Sequence, residues 1–306
     1  MLQTTDTLLL VRPHSFRKNE QTAINNYFQQ DLLRYSAEEI DQQAKLEFDQ
    51  YVKLLNAHHI NTIVVQDQGL WDTPDSIFPN NGISFHKGLA VHYPMFAPNR
   101  RLERQLPLVQ AVENQGYPLK RIVDYSPYAE EGLFLEGTGC LVLDHVNRVA
   151  FCARSARADE AMLQIFCREF NYTPFVFSAY QSVAGERRAI YHSNVMLSIG
   201  TAFAVVCLDS IDDPQERNAL QARLEQCQKT VIPISEIQLA HFAGNILEVH
   251  NSEGKPFIVM SSQAYASFST EQRAELEKFA TLIHSPLPTI EACGGGGARC
   301  MIAEVF

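Results

Sequence analysis

The sequence predicts an α/β fold in which five strand–helix–strand units close into a ring formed by residues 1–306 as a single domain, the alternative being an ordinary α/β domain with irregular strand–helix alternation. Three observations lead there. Five short segments, each a turn residue or break followed by alternating strand-like positions, begin at Asn81, Gly139, Asn194, Asn245 and Ala298, 51 to 58 positions apart. After each of the first four comes the same order of second strand, helix and closing strand. The fifth has no helix after it, whereas the N-terminal end offers a strand, a helix and a strand with no leading segment. One unit split between the two ends closes the ring, and closure protects sheet edges.

The elements follow in order. Residues 7–12 and 61–66 read as strands on either side of a helix at 38–56. The next unit takes strands at 81–86 and 89–93, a helix at 99–115 and a strand at 121–124, with the β-branched and aromatic residues that suit a pleated surface. Strands at 139–144, 149–153 and 174–178 flank a helix at 157–170, where Ala161, Ile165 and Phe166 share a face at helical spacing. The third repeat has strands at 194–199, 202–208 and 230–234 and a helix at 214–228, whose Pro214 sits where a first-turn proline is tolerated. The fourth has strands at 245–250, 257–261 and 288–291 and a helix at 270–283, with Ser269 or Thr270 as its cap. A last strand-bearing segment spans 298–306.

Composition narrows the function classes. Hydrophobic residues make up 46% and charged residues 20% of the chain, enough for a sizeable core. A net charge of −10 leaves no basic surplus for phosphates, so a nucleic-acid partner is not expected. No run of about 18 apolar residues occurs, so no membrane partner is expected, and the N-terminus does not read as a signal peptide. Seven cysteines without CxxC spacing fit reduced thiols in a cytoplasm better than a disulfide framework or a zinc site.

The residues suited to chemistry stand at the repeat heads, which a ring brings together. Asp75 precedes the first head, Glu136 the second and His192 the third, and Cys300 lies inside the fifth. Cys300 follows Gly294–Gly297, a run that permits close backbone approach and positive φ. A thiol attacks only when ionised, which calls for a cationic or hydrogen-bonding neighbour; most free cysteines are small buried hydrophobes, and Cys293 beside the glycines is the decoy. Imidazole titrates near working pH, so His192 suits general acid–base work. Glu136, flanked by Gly137 and Gly139, alternatively binds backbone N–H groups, and Asp72 and Asp75 alternatively cap turns.

These residues, with the strings Asp72-Thr73-Pro74-Asp75-Ser76, Phe78-Pro79-Asn80-Asn81 and Gly296-Gly297-Ala298-Arg299-Cys300-Met301, make the chain resemble the guanidino-group-modifying superfamily, from Val11-Arg12-Pro13 to the C-terminus. That superfamily includes arginine deiminases, dimethylarginine hydrolases and amidinotransferases on the pentein fold, so the resemblance implies a five-bladed pseudo-symmetric α/β propeller; the nearest flavour is the bacterial amidinotransferase-like branch with citrulline-utilisation hydrolases. The resemblance implies Cys300 as nucleophile, His192 as proton shuttle, Glu136 as its acid and Asp75 as the grip on guanidino or ureido nitrogens. It implies Arg154 as the binder of the substrate α-carboxylate, with Arg157 in competition. It implies a small guanidino or ureido amino acid as substrate and needs no cofactor or metal. Assembly as a homodimer is left open.

One departure bears on the substrate. Deiminases of this kind commonly read His-x-Asp where this chain reads His192-Ser193-Asn194. An amide both donates and accepts, so Asn194 suits a neutral ureido group and slightly favours citrulline over arginine. The expected reaction is hydrolysis of a C–N bond through a covalent Cys300 intermediate. The alternatives are amidino transfer to a second amine, and a non-catalytic binding role on the same ring. Residues 180–188 and 93–100 are the candidate lids.

Overall fold

The computed structural model describes residues 2–306, so residue 1 of the expected domain lies outside the described residues. Among the described residues the strands form five three-stranded sheets and one two-stranded hairpin, and no sheet closes on itself. All five sheets share one build: an antiparallel pair, then a third strand parallel to the middle one. The parallel step needs a crossover rather than a tight turn, which is why a helical stretch recurs before each closing strand.

The sheet shared by the two chain ends is present. Ala303–Val305 pairs antiparallel with Thr7–Arg12, which pairs parallel with Asn61–Gln66. Its crossover helix, Ala37–Ala57, starts at a capping box in which Ser36 and Glu39 each take the other's backbone N–H. Ala44, Phe48, Tyr51 and Leu55 form its buried stripe and pack in one cluster with Leu8 and Leu10. The other sheets comprise Ile83–His86, Leu89–His92 and Arg121–Asp124; Val142–Asp144, Val149–Ala153 and Thr173–Phe177; Leu197–Ile199, Phe203–Val206 and Thr230–Pro233; and Leu247–His250, Pro256–Ser261 and Thr281–Ser285. Lys229 Nζ, buried, bonds Gly200 O at 3.0 Å and pairs with Asp144 at 3.2 Å, tying two of these units together.

Three expectations are corrected. The helix expected at 270–283 ends at Leu276, and the closing strand is Thr281–Ser285 rather than 288–291. Ile283 faces Val259 in that pairing, so burial beside a β-branched neighbour outweighs local helix propensity. Residues 290–294 instead form a π-helix, Ile290–Gly294, where Glu47 accepts the N–H groups of Thr289 and Ile290 at 3.0 Å. The helix expected at 99–115 is split into a 3-10 stretch, Pro98–Gln105, and an α-helix, Leu108–Asn114. Pro107 lacks an N–H and forces Leu106 into an extended conformation, so no single helix can pass through.

The heads differ from the expected strands in a way that matters for the site. Pro79–Asn81, Gly137–Cys140, Ser193–Val195 and Ala298–Met301 are single helical turns, and the strands begin only after them. These turns pack on one another: the second against the first and third, and the fifth against the first. Among the described residues no helix is long and apolar enough to cross a membrane.

Candidate active site

Packing the heads together puts their side chains in a crowded, almost dry space. Glycine is needed where backbones approach. A Cβ on Gly139 would stand 2.4 Å from Asn81 Nδ2 and 2.8 Å from His192 Nδ1. Gly295 takes φ = 64°, the left-handed region that a side chain disfavours. The rest of the run serves close contact, since a Cβ on Gly296 would stand 3.0 Å from the Phe78 ring.

Cys300 is buried and meets two amides. Asn245 Nδ2 donates to its Sγ at 3.1 Å and Asn194 Nδ2 lies 3.6 Å from it. Burial pushes the thiol up from its ordinary 9.0, and these amides, with the Arg299 charge, only partly offset it. The thiol is therefore protonated at neutral pH in the empty protein. Alkylation of the Cys300–Phe306 peptide is expected to be slow at pH 7 and to rise with a midpoint above 9, read by mass spectrometry over a pH series. A midpoint below 8 would show a thiolate stabilised by something other than these two amides.

His192 is held from one side. Its Nε2 stands 2.7 Å from Glu136 Oε2 with both side chains buried. A carboxylate can only accept, so the shared proton is on Nε2 and Nδ1 is left with its lone pair. Burial lowers the imidazole to about 4 despite the raising effect of Glu136. Burial also opposes ionisation of Glu136, but the Arg157 charge and the His192 bond overcome it and hold the carboxyl well below its usual range. Glu136 Oε1 accepts the Phe96 N–H at 3.0 Å, and Arg157 reaches Oε2 at 3.3 Å. Arg157 itself is buried and lies over the Tyr191 ring at 4.9 Å.

Asp75 forms the opposite wall. Its Oδ2 accepts Asn19 Nδ2 at 2.8 Å and Thr22 Oγ1 at 3.1 Å, and lies 3.8 Å from Arg100. Its Oδ1 is buried with no partner, as is Asn81 Nδ2. Arg100 grips Glu103 through two bonds of 2.8 and 2.9 Å and Asn81 Oδ1 through one of 2.7 Å. Burial pushes Glu103 up to about 7 against the pull of Arg100. Cys300, His192, Asp75, Asn81, Arg100 and Arg157 line one narrow cavity.

The structure therefore gathers five of the six expected site residues: Cys300, His192, Glu136, Asp75 and Asn194. Asn194 turns its amide to the sulfur. Arg154 is not among them. Its guanidinium is partly exposed and pairs with Glu160 at 2.6 Å and Glu216 at 2.8 Å, whereas Arg157, three residues on, enters the cavity. The decoy Cys293 is buried in an apolar cluster without such amides.

Sequence reasoning missed Asn245 and the roof. Asn245 shares its repeat position with Asn81 and Asn194, and that recurrence was the available signal. The roof follows the first strand and includes the helical turn Glu20–Ala23, capped by Asn19: Asn19 and Thr22 hold Asp75, Arg157 donates to Thr22 O at 3.0 Å, and Asn26 Nδ2 reaches Gly294 O at 3.3 Å. Of the expected lids, residues 180–188 form most of the hairpin Tyr180–Val183/Glu186–Ala189, while 93–100 supplies Arg100 to the cavity wall and the Phe96 N–H to Glu136.

Residues 12–306 match the family model for N,N dimethylarginine dimethylhydrolase, eukaryotic. No curated protein matches the chain. Among solved structures, the N-terminal domain of ArgZ bound to product, an arginine dihydrolase from the ornithine–ammonia cycle in cyanobacteria, is 15% identical with a TM-score of 0.73, over 98% of this chain and 97% of that one. A variant of AgrE in complex with L-arginine is 16% identical with a TM-score of 0.74, over 98% of this chain and 40% of that one. A dimethylarginine dimethylaminohydrolase variant carrying an adduct with S-methyl-L-thiocitrulline is 12% identical with a TM-score of 0.65, over 98% and 99%. At these identities the likeness carries the fold: a mixed α/β architecture of the pentein kind.

Proposed function

The chain belongs to the N,N dimethylarginine dimethylhydrolase family, eukaryotic, and on that premise we propose that it hydrolyses a C–N bond of a guanidino group in a small amino acid of the arginine or methylated-arginine class, through a covalent intermediate on Cys300. One observation carries the reading: a thiol, an imidazole with a free nitrogen and a carboxylate with an unpartnered oxygen line the same cavity. The five sheets read best as blades of one domain about an axis at that cavity, because all the heads that supply it are equivalent positions of the repeat.

The guanidinium donates N–H to Asp75 Oδ1, where a buried acceptor lacks a partner. Its charge then stands beside Cys300, so the thiol can ionise without leaving an uncompensated anion in a dry site. His192 Nδ1 takes the thiol proton, and Glu136 stabilises the imidazolium. Sulfur bonds to the central carbon, and that proton passes to the departing amine as the C–N bond breaks. His192 next takes a proton from water, the resulting hydroxide adds to the same carbon, and the C–S bond breaks, returning the thiol and a ureido product. One water is consumed and one amine released; no metal or cofactor enters this scheme.

Citrulline is the second reading. The Asn194 amide that suggested it faces the sulfur, but Asn81 Nδ2 is a buried donor without a partner and suits a ureido oxygen. Steady-state kinetics with L-arginine, dimethylarginine and L-citrulline separate the two. We expect a cationic substrate to exceed citrulline in kcat/KM by about 10- to 100-fold, the worth of a hydrogen bond to a charged group, and Asp75→Asn to erase most of that difference. A citrulline preference in the wild-type protein would move the assignment to the second reading. An unchanged product profile when glycine is added would count against amidino transfer.

A further inference from the structure

A second opening lies between residues 181–184 of the hairpin Tyr180–Val183/Glu186–Ala189, residues 27–30, Phe242 and the π-helix Ile290–Gly294. It contains two buried polar groups that the catalytic scheme does not use. Gln181 is 8% exposed, and its Nε2 has no partner; Glu291 is 3% exposed, and its polar neighbour, the Ser261 hydroxyl, is not in hydrogen-bonding geometry with either oxygen. Buried polar groups are paired in most folds, and exceptions point to something missing. One group donates, the other accepts when ionised, and Tyr27, Phe28 and Phe242 supply an apolar surface along the same groove.

We propose that this groove is a second binding site, separate from the catalytic cavity, for a basic amino acid: the side-chain cation on Glu291, the carboxylate on the Gln181 amide and the aliphatic stem along Phe28 and Phe242. A simple anion leaves Glu291 unmet, and an apolar molecule leaves both groups unmet. The π-helix that carries Glu291 runs directly into Gly294–Gly297 and Cys300, so an occupant holds the chain segment that positions the sulfur.

Binding is coupled to a proton. Burial, with a smaller contribution from the nearby Glu47 charge and some relief from the Ser261 hydroxyl, pushes the Glu291 carboxyl up to about 8. It is therefore mostly protonated at pH 7 in the empty groove and must ionise to hold a cation. L-Lysine is the probe, because it has no guanidino or ureido carbon and its binding does not depend on the catalytic assignment. Calorimetric titration of the wild-type protein at pH 7, in two buffers of different ionisation enthalpy, is expected to show binding with release of close to one proton. L-Norleucine, with the same stem and no side-chain cation, is expected to bind at least about tenfold more weakly and without proton release. Glu291→Gln is expected to reproduce that weakening for lysine and abolish the proton release, while Asp75→Asn in the catalytic cavity leaves both unchanged. Gln181→Met, at the other end of the groove, is expected to weaken lysine and norleucine alike and serves should Glu291→Gln not fold. Absence of lysine binding at millimolar concentration, or unaltered affinity and proton release in Glu291→Gln, would overturn the proposal.

Discussion

Cys300→Ser is expected to lower kcat for the guanidino substrate by about 10⁴- to 10⁶-fold, the range seen when a covalent nucleophile is removed, with little change in stability. The two effects separate because they depend on different atoms. The fold keeps Cys300 in place through its backbone: its N–H lies 3.1 Å from Gly297 O, and the glycine run packs on Phe78. A hydroxyl in place of the thiol can still accept from Asn245 and Asn194, so the cost to stability stays within about 1 kcal/mol. Chemistry fares differently. A thiol with an ordinary value near 9 and raised by burial is still within reach of a bound cation and a neighbouring base; a serine hydroxyl is far less acidic, and the two amides beside it supply no charge. Mass spectrometry gives the direct measurement. Wild-type protein mixed with substrate should carry a transient adduct on the Cys300–Phe306 peptide, and the serine variant none. Turnover within tenfold of wild type would remove the covalent route.

The period of the chain was legible because a strand needs only alternation and a repeat needs only spacing. Thr7–Arg12, Asn61–Gln66, Arg121–Asp124 and Val149–Ala153 lie where alternation puts them. The sheet that joins the two ends was legible as a missing part at each end. What alternation cannot reveal is irregular backbone. Arg154 immediately precedes, and Arg157 lies within, the tight turn closed by the bridge Ser155↔Ala158, and the two side chains leave in different directions. One meets Glu160 and Glu216 near solvent; the other passes under Tyr191 to Glu136. Three residues of separation in a turn hold no signal for that choice. The roof from Asn19 to Asn26 holds a single helical turn, too short to show a period, and its fit to Asp75 arises from one side-chain amide and one hydroxyl that would be ordinary in any loop. Thr281–Ser285 was hidden for a different reason: its residues are compatible with a helix, and only pairing with Pro256–Ser261 decides.

Glu136→Gln probes the side of the cavity that has the least freedom to adapt. Glu136 meets the Phe96 N–H, the Arg157 guanidinium and His192 with two carboxylate oxygens and one negative charge. Glutamine has a single acceptor oxygen and no charge, so at least one of these partners goes unmet. Arg157 retains Asn25 and Thr22 as acceptors but loses its counter-ion in a buried place, a change that costs about 3–5 kcal/mol. His192 loses the group that raises its basicity while the lowering influences of burial and Arg157 persist, so its imidazolium becomes harder to form. Proton transfer to the leaving amine then slows, by about 10²- to 10⁴-fold. The sign of the pH dependence distinguishes this account from a simple packing defect. A carboxyl held below its ordinary 4.5 contributes stability that is fully present above that value and is lost as pH falls through its folded-state value. The gap in unfolding free energy between wild type and Glu136→Gln should therefore be widest near pH 7 and shrink below about pH 4.5. Urea denaturation at a series of pH values measures it, and a gap that stays constant into acid would assign the loss to shape rather than to charge.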